Sequence, residues 1–148
     1  MIIQIISAFS AVFMFTMLLE IPRKYVIYAS VSGAIGWWVY LIVQGREDSS
    51  MLAAFFSTLV VAFLSHILAR IKKAPVTVFL VSGTLPAVPG AAIYRSVYFL
   101  LHDEQVQAIH YLSETILIAG GIAMAISIMD SLFRLLVIYD RRNLKARS

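Results

Sequence analysis

Cysteine is absent from the 148 residues, which excludes a disulfide framework, a thiolate metal site and a redox motif. Charge is scarce as well: Asp, Glu, Lys and Arg make up 14% of the chain against 61% hydrophobic residues. A single domain this apolar is not solvated by water alone, so the lipid bilayer must supply its solvent. The net charge of +4 does not point to nucleic acid, because the basic residues sit between apolar runs rather than on one solvated polar face. No Lys or Arg precedes the first apolar run and no small-residue cleavage site follows it, so that run reads as a retained span rather than a removable signal. Also missing are a nucleophile elbow, a metal-binding histidine pair and a phosphate-cradling glycine loop. An enzyme and a cofactor are therefore not expected, and no internal repeat or low-complexity segment appears.

What is present is a series of long apolar stretches. Crossing about 30 Å of hydrocarbon takes about 20 predominantly apolar residues in a helix. Five stretches fit: Ile2 to Leu19, Tyr25 to Val43, Met51 to Ala69, Val76 to Leu101 and about Leu112 to Val137. Each ends in charge or proline: Glu20, Pro22, Arg23 and Lys24; Arg46, Glu47 and Asp48; Arg70, Lys72, Lys73 and Pro75; His102, Asp103 and Glu104; Arg141, Arg142, Lys145 and Arg147. The expected fold is an all-α integral membrane protein of five helices in one compact domain.

The loops alternate in positive charge. Ten of the twelve Lys and Arg fall on one side, Arg46 falls on the other, and Arg95 lies within a span. Cytoplasmic loops carry the Lys/Arg excess, so the N-terminus is expected outside and the C-terminus in the cytoplasm. Trp37, Trp38 and Tyr40 at one end, and Tyr25 and Tyr139 at the other, read as interfacial anchors. Lipid gives no hydrophobic drive between helices, so small residues at four-residue spacing mark expected contact faces. These are Ala29 and Gly33; Ala54, Ser57, Thr58, Val61 and Ser65; and Ala119, Ala123, Ser127 and Ser131 with Gly120 beside them.

The fourth stretch differs from the others. VTVFLVSGTLPAVPGAAIYRSVYFLL carries Pro86, Pro89 and Gly90 at its middle and Arg95 inside it. A proline within a helix removes a backbone hydrogen bond and clashes one turn back, so this span is expected to be two half-helices. Freed backbone groups are tolerated in hydrocarbon only when they face protein or a water-lined cavity, which is why broken helices mark transporter sites. Pro89 suits the first position of the second half-helix. The partial positive charge of that helix end favours a carboxylate. A structural kink filled by neighbouring helices is the plainer alternative.

Pro86, Pro89, Gly90 and the following Tyr94 resemble the proline-x-x-proline-glycine and tyrosine of the threonine/serine exporter (ThrE-like) family. The resemblance is to its short form, the small five-span subunit of a split two-chain transporter, similar to a bacterial dicarboxylate (succinate) exporter small subunit. It implies a bacterial inner-membrane exporter of small amino acids or dicarboxylates, working with a larger membrane subunit that carries a cytoplasmic domain. A hetero-oligomer or homo-oligomer follows from such a split.

Other candidates rest on their own chemistry. Arg95 either snorkels toward headgroups or Asp103, or pairs its planar fork with a substrate carboxylate. Ser82 and Thr84 either donate to substrate or cap freed carbonyls. Asp130 is a possible proton carrier, since burial raises a carboxyl pKa. Arg134, four residues on, equally offers a helix ion pair, the favoured arrangement. His66 can change charge near neutral pH, although a lone histidine at a span end is more often an interface residue. The sequence thus reads as a secondary-transporter subunit binding a small carboxylate at Ser82, Thr84, Pro86, Pro89, Gly90, Tyr94 and Arg95, with Asp130 and His66 as possible proton-coupling groups. A membrane scaffold subunit and a small oligomeric channel are the rival readings.

Overall fold

A computed structural model describes residues 1–47 and 49–146, with side chains described to residue 139. Asp48 and Arg147, read above as charges closing spans, lie outside the described residues, and Arg141, Arg142 and Lys145 are described as helical backbone alone. The described chain is all helical: α1 (Ile2–Leu18), α2 (Arg23–Glu47), α3 (Ser50–Lys72), α4 (Val76–Thr84), α5 (Gly90–Leu101) and α6 (Gln105–Ala146). A single 3-10 turn, Leu85–Ala87, links α4 to the break.

The helix ends follow local chemistry. Ser49 caps α3 by accepting from the Leu52 amide at 3.4 Å, which satisfies one of the donors that a helix start leaves open. At the other end Lys73 takes a left-handed conformation, and the Ala74 amide turns back to the Ala69 carbonyl at 3.0 Å. Pro75, which cannot continue a helix, then becomes the cap of α4. Glu20 and Asp103 are likewise left-handed, each in the turn after a helix. Connections this short force sequential helices to pack as neighbours.

The centre of the bundle is α2 against α3, with α1 and α4 packed on α2, α4 also on α3, and α6 on the remaining side of α3. The packing is close because it is made of small residues. A Cβ at Gly33 would stand 2.8 Å from Val12 Cγ2, and one at Gly83 would stand 2.7 Å from Val61 Cγ1 and 2.8 Å from Ser32 Oγ. Ser57 Oγ donates to the Gly36 carbonyl at 2.8 Å, joining α3 to α2. The small-residue stripes expected on the second and third spans are accordingly buried contact faces.

The stripe on α6 is not. Ala119, Gly120, Ala123, Ser127 and Ser131 are exposed, and the face laid on α3 is instead Gly121, Ala125, Met129 and Phe133. Every face of this helix is apolar enough for lipid, so composition does not select the inner one. Tyr25 also departs from expectation. It is buried against Phe79, ring edge to ring face with centroids 5.6 Å apart, so it belongs to the core rather than to an interfacial belt.

Among the described residues three helices, α2, α3 and α6, are long and apolar enough to span a membrane. The pair made by α4 with its 3-10 turn and by α5 passes as a fourth span bent by 52°. α1 is apolar but has 17 residues. The last helix begins at Gln105 rather than Leu112, and it includes the exposed His110.

Candidate functional site

Two prolines within four residues set the local geometry of the break. Pro86 has no amide to give, and the chain tightens into the 3-10 turn, ending with the Val88 amide on the Leu85 carbonyl at 3.2 Å. Val88 is then extended, with φ −65° and ψ 132°, as a residue before proline must be. Pro89 proves to be the N-cap of α5, and Gly90 is its first residue, a shift of one position from the sequence expectation. The cap has no side-chain hydrogen bond. The Gly90 amide turns back to the Val88 carbonyl at 2.8 Å, and helix geometry leaves the amides of Ala91 and Ala92 without partners in their own helix.

Gly90, Ala91 and Ala92 line a cavity of about 280 Å³ between the break, α2 and α6. Trp37 and Tyr40 of α2, stacked with centroids 4.8 Å apart, form one wall. Tyr111 of α6 forms part of another, and the Arg95 guanidinium lies 5.5 Å above its ring. Glu114 of α6 also lines the space. Among the described residues the one ion pair is elsewhere, so Arg95 and Glu114 face this cavity without closing on each other. The arrangement presents an anion-favouring helix end, one cation and one carboxylate to a volume fit for a small metabolite.

The sequence-chosen residues divide. Pro86, Pro89, Gly90 and Arg95 line the cavity. Tyr94 does not: it is 68% exposed, stacked beside Tyr98 on the outer face of α5. Ser82 and Thr84 do not line it either. The Ser82 hydroxyl donates to the Val78 carbonyl at 3.1 Å and that of Thr84 to the Leu80 carbonyl at 2.8 Å, each one turn back in its own helix. Glu114, Tyr111, Trp37 and Tyr40 were missed as site residues. Glu114 had a signal, being the only acid between Glu104 and Asp130 and lying inside the last apolar stretch, where an ionised side chain is costly.

A second cavity, about 590 Å³, opens at the other end of α6 and is lined by His66, Arg70, Asp130 and Arg134. Here the structure corrects two expectations. Asp130 bonds His66 across the α3–α6 interface at 2.8 Å rather than pairing with Arg134 along its own helix. His66 is not a lone interface residue: its ring is stacked on Phe133 with centroids 4.3 Å apart and is 13% exposed. Phe133 is buried with Met129 against Ala62, which sets the rotation of α6 that brings Asp130 round to His66.

The sequence model of a family described as threonine/serine exporter, ThrE, matches residues 4–132 of this chain. No curated protein and no solved structure matches it.

Proposed function

Given that the chain belongs to the threonine/serine exporter (ThrE) family, we propose that it is the small subunit of a secondary transporter exporting a small amino acid or dicarboxylate. Family and apolar helices together make it a membrane transport protein, and this points away from catalysis. In the proposed arrangement the chain has five spans in a bacterial inner membrane, with the N-terminus outside and the C-terminus in the cytoplasm. α1 reaches the lower end of the roughly 17–25 residues that a span needs. The broken pair is one span, and ten of twelve Lys and Arg lie on the cytoplasmic side.

The observation that carries the reading is the cavity at the break, lined by an uncapped helix start and by Arg95. An interrupted helix whose N-terminus meets a substrate carboxylate at mid-membrane is how many secondary transporters hold their cargo, and rocking of one half against the other exposes that site to each side in turn. His66 and Asp130 are the proposed proton-coupling pair, a titratable dyad lodged between two spans. The partner is a larger subunit of the same family with a cytoplasmic domain, and the exposed small-residue stripe of α6 supports its docking.

The test is counterflow of labelled substrate in proteoliposomes, with and without the larger subunit. Counterflow should need both chains, fall with Arg95→Lys, which keeps charge but loses the bidentate fork, and fall further with Arg95→Ala. Robust flux by this chain alone would replace the split transporter with an oligomeric channel. Undiminished affinity in both Arg95 variants would remove Arg95 from the site, because a snorkelling lysine serves as well as arginine.

A further inference from the structure

We propose that Glu114 is the ammonium-binding residue of the cavity at the break, so that the ligand held there is a zwitterionic α-amino acid rather than a dicarboxylate. This rests on the reading of that cavity as the substrate site, and it adds a residue that selects between the two substrate classes.

The argument begins with cost. An ionised side chain within a span is expensive, by about 2.5–3.5 kcal/mol on insertion scales, and is retained where it faces a partner or a cavity. Glu114 lies nine residues into α6, about 13 Å from the helix start, and it is half-buried at the cavity wall. Its natural counter-charge, Arg95, lines the same cavity but rests over Tyr111. The two charges are therefore held on one small volume without neutralising each other directly.

A ligand completing that pattern carries a negative group toward Arg95 and the Ala91 and Ala92 amides, and a positive group toward Glu114. An α-amino acid has both on one carbon. A dicarboxylate would set its second negative charge near Glu114, and like charges brought together in a desolvated site are strongly disfavoured. The small volume and the aromatic wall of Trp37 and Tyr40 limit the side chain to a short one.

The experiment uses the full chain reconstituted with its larger subunit and three probes: L-serine, glycerate (the same skeleton with hydroxyl in place of ammonium) and succinate. Wild type should favour serine over glycerate and over succinate. Glu114→Gln should lower the apparent affinity for serine about tenfold or more, the factor carried by one charge-assisted hydrogen bond, and leave glycerate within about twofold. Glu114→Asp should keep the preference for serine at reduced affinity. Wild-type preference for succinate or glycerate would overturn the proposal, as would an unchanged preference for serine in Glu114→Gln. If Glu114 only balances Arg95, Glu114→Gln would change the affinity for serine and for glycerate by the same factor, since both present a carboxylate to Arg95, and that result also overturns it. Gly90→Leu separates this failure from failure of the site itself. Lost binding there with an unchanged Glu114→Gln removes Glu114 alone, whereas wild-type affinity in Gly90→Leu removes the cavity and Glu114 with it.

Discussion

His66 Nε2 and Asp130 Oδ1 stand 2.8 Å apart although 64 residues separate them in the chain, and this hydrogen bond ties α3 to α6. The histidine is the more buried partner, sandwiched between the carboxylate and the face of Phe133, while Asp130 opens to the cavity that Arg70 and Arg134 share.

From that geometry, Asp130→Asn should retain a hydrogen-bond acceptor for His66 and change stability by less than about 1 kcal/mol, in line with polar contacts between membrane helices. Substrate exchange should continue, but substrate-linked proton flux, followed with a pH-sensitive dye in proteoliposomes, should stop. Undiminished proton flux in this variant would take the pair out of the coupling mechanism.

The glycines at close helix contacts and the glycine at the break should behave oppositely. Gly83→Leu adds atoms where even a Cβ meets Val61 and Ser32, and should destabilise the chain by about 1–3 kcal/mol in thermal unfolding in detergent. Gly90→Ala adds a Cβ into open space and should stay within about 0.5 kcal/mol of wild type. Equal losses in the two variants would contradict the packing described.

Orientation is open to direct labelling, because the chain has no native cysteine. Single cysteines at Ser50 and Gln107 should react with an impermeant thiol reagent added to intact cells, whereas one at Ala146 should not. Labelling at position 146 from outside would invert the proposed topology. Since Ser50 lines the cavity at the break, substrate should also slow the reaction there.

The exposed stripe of α6 gives a prediction about assembly. Ala123→Leu should leave the chain folded, because the side chain is exposed, while co-purification of the proposed larger subunit falls about tenfold, the equivalent of about 1.4 kcal/mol. Full recovery of the partner would move the docking face elsewhere.

The sequence by itself determined the helical class, the positions of the long apolar helices and the break. Hydropathy over about 20 residues and the missing amides of Pro86 and Pro89 act locally and need no neighbour to be felt. Even the helix-start at Pro89 and Gly90 was legible to within one residue. The small-residue stripes of α2 and α3 also marked their buried faces, but tertiary structure alone decided which way α6 turns. In lipid, both faces of α6 can be apolar, so nothing local distinguishes the outward stripe of Ala119 to Ser131 from the inward face of Gly121 to Phe133. That rotation is set by Met129 and Phe133 packing on Ala62, and it brings Asp130 to His66 at one end of α6 and Glu114 to the cavity of Arg95 at the other. Pairings between residues on different helices depend on how those helices interlock, which is a property of their facing side chains together and of neither segment alone.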